Sequence, residues 1–484
     1  MRDLSGVDSM FLALESRTNL FQVGAVSVLD PATAPDGAPA PHAALQQVLA
    51  GRLDRLGPMR RRLVPVPGDV DNPRWVEGEP DLDRHVRRGA LPAPGSEREL
   101  AAYAADVLAR PLDRDRPLWE IHVVEGLDGG LVAGVAKLHH SIIDGVGGAE
   151  LTAQLMDLTP EVPAASPSPA RGAEPAPGAV AMLAAAARHG PGRALQAGRV
   201  TLRMTSRALA LRRRNRRPGS VHPPAPFAGP RTSLCAPVGP ERSVGMVQVD
   251  RADVEAVREA TGVTVNDVVL YLAGSALREH LARRDELPER PLVAFVPRST
   301  RGPATSLEEG VNSLSGMLAS LATDVADPLA RLLTLAESAA AAKDQERVLG
   351  EDLLADLAGL VPPAVLSRVG GLTRAAGLTT RRPPFSVVVS SFPGSPVPLY
   401  CAGAELVAYY PFGPVIDGAA LNITASSYRD RIGFGMLACR DAFPPGDMDA
   451  LGRHLVESMG ELVKTVTAPG APRGRRPQSR RGGP

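Results

Sequence analysis

Between Glu174 and Glu241 the chain carries no aspartate or glutamate, while proline, alanine and arginine crowd the same stretch. This interruption constrains the fold more than any other feature. Pro160 to Pro177 is rich in Pro, Ala and Ser and reads as a linker. Val180 to Arg217 has helical spacing and is strongly basic, and Pro218 to Pro230 is again rich in Pro and Gly. Residues 161–230 therefore separate two halves, 1–160 and 231–467, and a chain of 484 residues is too long for one ordinary core. Residues 468–484, made of Pro, Gly, Ser and Arg, are expected to be a disordered basic tail.

Both halves alternate between the two structural periods, which predicts an α/β fold. In the first, strands are expected at Gln22 to Leu29, Glu120 to Glu125 and Leu131 to Leu138, and helices at Ala43 to Leu56, Glu97 to Ala109 and Gly147 to Leu158. In the second, strands are expected at Val244 to Val249, Leu292 to Val296 and Ser386 to Ser390. Helices are expected at Ala252 to Ala260, Thr264 to Ala282 and Met448 to Val466. Leu421 to Tyr428 and Arg431 to Leu437 read as a hairpin across Arg429-Asp430. Two halves of similar size are compatible with one fold used twice.

Composition narrows the function classes. A net charge of +1 gives no global field toward nucleic acid. Cys235, Cys401 and Cys439 are far apart and form no C-x-x-C pair, so a reducing compartment is expected, with neither disulfide scaffold nor zinc knuckle. No run of ~18 apolar residues occurs, so no transmembrane helix is expected. The amino terminus lacks an apolar run of signal length, and a cytoplasmic protein is expected.

The sharpest local feature is Lys137-Leu138-His139-His140-Ser141-Ile142-Ile143-Asp144-Gly145, followed by Gly147 and Gly148. It joins an expected strand to an expected helix, a loop held at both ends that can project a side chain into a cleft. Three readings stand. His140 is a general base, since imidazole titrates near neutrality, with His139 shaping the loop. Alternatively both histidines are structural, or His139, His140 and Asp144 bind a metal. The metal reading lacks the spacing of metalloprotease sites and a second cluster. Asp144 can tie the loop through a salt bridge or hydrogen bond, and the glycines from Gly145 onward permit a sharp turn and close approach. The chain has no Gly-x-Ser-x-Gly elbow and no P-loop. What remains is direct attack of an acceptor hydroxyl on an activated acyl donor, which needs a base and no metal.

The His-His-x-x-x-Asp-Gly segment resembles the active-site motif of the bacterial wax ester synthase/acyl-CoA:diacylglycerol acyltransferase family. Condensation domains of peptide synthetases share that motif, but further segments narrow the resemblance. They are Leu4 to Leu14, Pro111 to Trp119 with its Pro-Leu-Trp, Thr264 to Val269 with its Asn-Asp, Leu321 to Asp324 through Asp327-Pro328, and Leu421 to Thr424. Together they span nearly the whole chain in family order.

The resemblance implies two CoA-dependent acyltransferase-like, condensation-domain-like domains with mixed sheets and an active-site tunnel between them. It also implies long-chain acyl-CoA as cosubstrate and diacylglycerol or a long-chain alcohol as acceptor. The catalytic candidates are His140, His139 and Asp144, with Asp144 organising the loop, through an Arg in the expected case. The substrate-contact candidates are Gly145, Asn266, Asp267 and Trp119. Asn266 is read either as a hydrogen-bond donor near the reacting centre or as a helix cap, and Trp119 as core packing at a bend near the tunnel. Two places depart from the family pattern: Gly310-Val311-Asn312 before Ser313, and Ser391 where Asn is expected. The alternatives are a condensation-type acyltransferase for a secondary-metabolite alcohol or amine, and a non-catalytic lipid-binding relative.

In the basic segment Leu195, Leu202 and Leu209 recur every seven residues beside Arg199, Arg203 and Arg207. An apolar stripe flanked by positive charge suits the surface of an anionic membrane or lipid inclusion. A linker helix packed on the first domain would carry the same pattern. The stripe has no interleaved aromatics, which disfavours nucleic acid.

Overall fold

The computed structural model describes residues 2–143, 145–161, 172, 174–216, 221–299, 314–350 and 352–468. Asp144, Arg217, most of the expected linker, Gly310 to Ser313 and the tail from residue 469 onward lie outside these. The α/β expectation is met by two six-stranded sheets and one three-stranded sheet. The first large sheet has the spatial order Tyr400–Cys401, Ala404–Phe412, Gln22–Asp30, Val132–His139, Trp119–Glu125 and Val86–Ala90. The second runs Leu314–Ser320, Val293–Ser299, Val387–Phe392, Leu421–Tyr428, Arg431–Cys439 and Arg242–Asp250. Arg2–Asp3, Arg74–Glu77 and Arg61–Val64 make the small sheet.

The two-residue period of a strand sorts the first sheet into a core face and a cavity face. Val26 and Val28 pack in the main core with Leu100, Ala104 and Leu108. Their alternates Val23, Ala25, Ser27 and Leu29 line a cavity. The helix that covers the core face, Glu97–Ala109, starts where Ser96 and Glu99 form a reciprocal cap and stops before Pro111. Its outer side meets strand Arg242–Asp250, so one helix is shared between the two sheets. On the second sheet the helices Val265–Ala282 and Pro445–Thr467 pack together, burying Val268, Leu272, Leu451 and Leu455.

Among the described residues no single helix is long and apolar enough to cross a membrane. The bent pair Arg251–Thr261 and Val265–Ala282 passes by composition, with a 107° break. Its second helix is core, with Val268 through Ala273 buried.

Two strands of the C-terminal half, Tyr400–Cys401 and Ala404–Phe412, belong to the first sheet and so cross the division at residue 230. Strand Ala404–Phe412 comes from the C-terminal half yet pairs antiparallel with Gln22–Asp30, setting Tyr410 opposite Val26 and Phe412 opposite Gly24. On its way it crosses strand Arg431–Cys439. There Gly433 and Gly435 share one face, and a Cβ at either would overlap the carbonyl oxygen of Tyr409 or Pro411. Glycine is required at both points because backbone meets backbone, and Ile432, Phe434 and Met436 fill the core on the other face. Gly435→Val is expected to destabilise the protein by roughly 2–3 kcal/mol, read as a lower denaturation midpoint. An unchanged midpoint would mean that the two strands do not cross at this point.

Candidate active site

Strand Val132–His139 delivers the histidine pair. Its Lys137 is 1% exposed and lies opposite Glu120 on the neighbouring strand, with Nζ 3.2 Å from Oε2. Burial works against the Glu120 carboxylate, yet hydrogen bonding from His122 and the Lys137 ammonium holds it down to about 2. Burial lowers the Lys137 ammonium, against the raising effect of Glu120, and the contact between the two pins the strand just ahead of the turn.

At the turn the chain is held from three sides. The His139 amide donates to the Leu118 carbonyl at 3.0 Å, the His140 amide to the Phe21 carbonyl at 2.8 Å, and the Ile142 amide back to the His139 carbonyl at 3.0 Å. The His139 ring points inward and is 1% exposed. The Ser141 amide donates to its Nδ1 at 3.1 Å, with the Ser141 hydroxyl 2.7 Å from the same atom. Nδ1 thus serves as acceptor and the ring proton sits on Nε2, which faces the Glu15 carboxylate at 3.8 Å. Burial first, with Arg114 and His140 adding to it, pushes the His139 imidazole down to about 3. Burial also pushes the Glu15 carboxyl up, against the pull of Arg114, whose Nε donates to it at 2.9 Å.

His140 has the opposite aspect. Its ring lines a cavity of about 750 Å³ and lies against Phe11, with centroids 4.5 Å apart and planes at 33°. Phe11 comes from helix Gly6–Leu14, capped by Ser5, which accepts from the Asp8 amide. The remaining walls come from both large sheets: Val23, Ala25 and Ile121 of the first, Val388, Ser390, Asn422 and Thr424 of the second, and Tyr409 and Phe412 of the crossing strand. Leu151 and Leu155 of helix Gly145–Leu155 add a further side. A mostly apolar cavity with a few convergent polar groups is the usual form of a small-molecule site.

The remaining candidates divide. Gly145 opens the helix after the loop, and Gly148, one turn on, faces the cavity. Trp119 is 0% exposed, donates from Nε1 to the Met59 carbonyl at 2.7 Å and stacks on His85 at 4.3 Å. It is core packing whose ring also forms part of the cavity wall.

Asp267 is corrected: it is 6% exposed, does not line the cavity, and its carboxylate accepts from the Thr264 amide at 2.9 Å in a reciprocal helix cap. The cap reading of Asn266 falls with it, because Thr264 is the cap. Asn266 instead accepts from the Ser391 hydroxyl at 3.0 Å, and Ser391 lines the cavity. The departure from the family pattern at Ser391 therefore lies on the cavity wall and touches the Asn of the Asn-Asp block.

Sequence reasoning did not single out Glu15, Arg114, Ser141 or Phe11. Glu15, Arg114 and Phe11 act through partners on other segments, which no local pattern announces, while Ser141 acts on His139 within the loop itself. Among the described residues no group of three or more His, Cys, Asp or Glu side chains converges as metal ligands.

The chain matches the wax ester synthase/diacylglycerol acyltransferase catalytic domain over residues 4–269 and the C-terminal domain of the same family over residues 311–463. A putative diacylglycerol O-acyltransferase of Mycobacterium tuberculosis is 34% identical over 472 residues, covering 96% of this chain and 90% of the relative. The wax ester synthase/diacylglycerol acyltransferase of Marinobacter aquaeolei superposes with a TM-score of 0.69 at 29% identity, covering 97% of this chain and all of that one. The first condensation domain of the CDA synthetase superposes at 0.58 with 18% identity, covering 97% of each chain, which is a likeness of fold. By sequence over both halves and by architecture, the chain belongs to the wax ester synthase/diacylglycerol acyltransferase family.

Proposed function

We propose that the protein transfers a long-chain acyl group from acyl-CoA to the hydroxyl of diacylglycerol or of a long-chain alcohol, with His140 as general base. The observation that carries this reading is the His140 imidazole on the wall of an apolar cavity to which both sheets contribute. The acceptor O–H gives its proton to the ring as its oxygen bonds to the thioester carbonyl carbon. The tetrahedral species then collapses, the carbon–sulfur bond breaks, and the imidazolium returns the proton to the CoA sulfur. His139 holds the loop and takes no proton in this scheme. Gly148 also lines the cavity, with no atom within 4 Å of where its Cβ would stand. Ser391 of the second sheet, whose hydroxyl donates to Asn266, contributes a polar group to the cavity wall. Apolar walls discriminate weakly among chain lengths, because each buried methylene contributes only ~0.8 kcal/mol.

Purified protein with palmitoyl-CoA and a diacylglycerol is expected to release CoA thiol and to form triacylglycerol, identified by thin-layer chromatography. His140→Ala is expected to reduce that release roughly 10²–10⁴-fold with the denaturation midpoint retained. Equal release by wild type and variant would remove His140 from the chemistry.

His139 makes a separate prediction. In the unfolded chain its ring takes a proton near 6.5, and in the folded protein only near 3. Keeping it neutral therefore costs nothing above pH 6.5 and progressively destabilises the fold as pH drops toward 3. The slope is at most about 1.4 kcal/mol per pH unit. His139→Gln should flatten the acid side of the stability–pH curve and keep the acid limb of the activity profile. A variant with the wild-type stability slope would show that His139 titrates normally.

A further inference from the structure

Two helices turn apolar side chains away from the body of the protein. On Ala179–Asn215, the residues Leu195, Leu202 and Leu209 are 69%, 74% and 53% exposed. Seven residues are close to two helical turns, so they form one line. The opposite side fastens the helix: Met182 packs with Val64, Val66 and Val76, Val200 is buried, and Arg203 pairs with Asp356 at 3.1 Å. On Pro363–Ala375, Val365, Val369 and Leu372 are exposed at positions i, i+4 and i+7, while Gly370 lies against Leu14 and Arg374 pairs with Asp417 at 3.2 Å. The segment Pro67–Asp69 touches both helices. Single exposed apolar residues are ordinary, but a concentration on adjoining elements marks an interaction surface.

Charge selects the occupant. No acidic residue occurs between Glu174 and Glu241, or between Asp356 and Glu405, so neither helix carries one. Arg199, Arg212, Arg213 and Arg216 are exposed on the first helix, and Arg368 and Arg381 on and just after the second. A second copy seated here would bring like charge against like charge, which disfavours a self-interface. Leucines that can enter the acyl boundary, flanked by arginines at headgroup level, match an anionic lipid surface.

We propose that these two helices, each presenting an exposed apolar row flanked by arginines, dock the protein on an anionic lipid surface. The inference rests on the reading that the acceptor is a lipid dissolved in that surface. The placement suits it. Helix Gly6–Leu14 packs beneath Pro363–Ala375, and its Phe11 lies against the His140 ring. The row on Pro363–Ala375 is thus one helix layer away from the site.

The test is flotation of full-length protein with vesicles of phosphatidylcholine alone or mixed equally with phosphatidylglycerol. Each exposed Arg near an anionic surface strengthens binding roughly fivefold, so wild type should bind the anionic vesicles far better and lose that preference in high salt. Leu202→Glu with Leu209→Glu, and separately Leu372→Glu, should weaken binding roughly tenfold or more. Both should keep wild-type CoA release with palmitoyl-CoA and a water-dispersed short-chain alcohol.

Equal binding of wild type to both vesicle types, or wild-type binding by both variants, would overturn the proposal. A wild-type dimer in solution that Leu202→Glu with Leu209→Glu separates would assign the face to a second copy and overturn it as well. Anionic vesicle binding that the variants lose, in a protein that releases no CoA with any acceptor, would support docking and refute the acyltransferase reading alone.

Discussion

The strand Ala404–Phe412 is hydrogen-bonded into the first sheet while its carbonyls lie directly over Gly433 and Gly435 of the second. That contact fixes the spacing of the two sheets. Side chains at 433 and 435 would push them apart, and a strand ending earlier would leave the first sheet without its partner for Gln22–Asp30. The cavity exists because the sheets are held at this distance: Tyr409 and Phe412 of the crossing strand form part of its wall, with Val23 and Ala25 on one side and Val388 and Thr424 on the other. A cavity walled by both sheets requires a strand from one half to cross into the other.

Within that frame adjacent histidines take different environments. One peptide step along a strand reverses the side-chain direction, so His139 enters the protein interior and His140 meets the cavity. His139 is surrounded by Ser141, Glu15 and Arg114 and is held neutral by burial. A neutral, hydrogen-bonded ring behind the loop gives the loop a fixed shape without placing a second charge near His140. The pair divides into one residue that holds the loop and one that faces the substrate space, and the motif needs both.

Elements governed by local chemistry were legible in the sequence. Helix Glu97–Ala109 matches its expected bounds because Ser96, Glu99 and Pro111 mark both ends. The hairpin over Arg429-Asp430 is found in the expected register, Tyr428 opposite Arg431. The histidine loop stands out in the sequence between a strand and a helix, and the family resemblance extends over both halves. What stayed hidden depends on partners far along the chain. Strand Ala404–Phe412 pairs with residues nearly four hundred positions away, and periodicity does not name a partner. Asn266 was left between cap and site, because only the folded chain brings Ser391 to it. Asp267 differs for the opposite reason: its role is set locally by Thr264, three residues earlier, in a reciprocal cap that the sequence itself spells out. The leucine stripe of the basic helix was visible, but not its direction. Met182 and Val200 on the far side decide that it faces outward.

The account depends on the acceptor oxygen reaching His140 inside the shared cavity. A crystal structure of the protein with a long-chain alcohol or diacylglycerol bound tests this most directly. The account predicts the hydroxyl oxygen within about 3.2 Å of a His140 ring nitrogen and the chain lying along Val23, Ala25 and Leu155. A lipid bound elsewhere, with its hydroxyl out of reach of that ring and the cavity beside His140 unfilled, would contradict it.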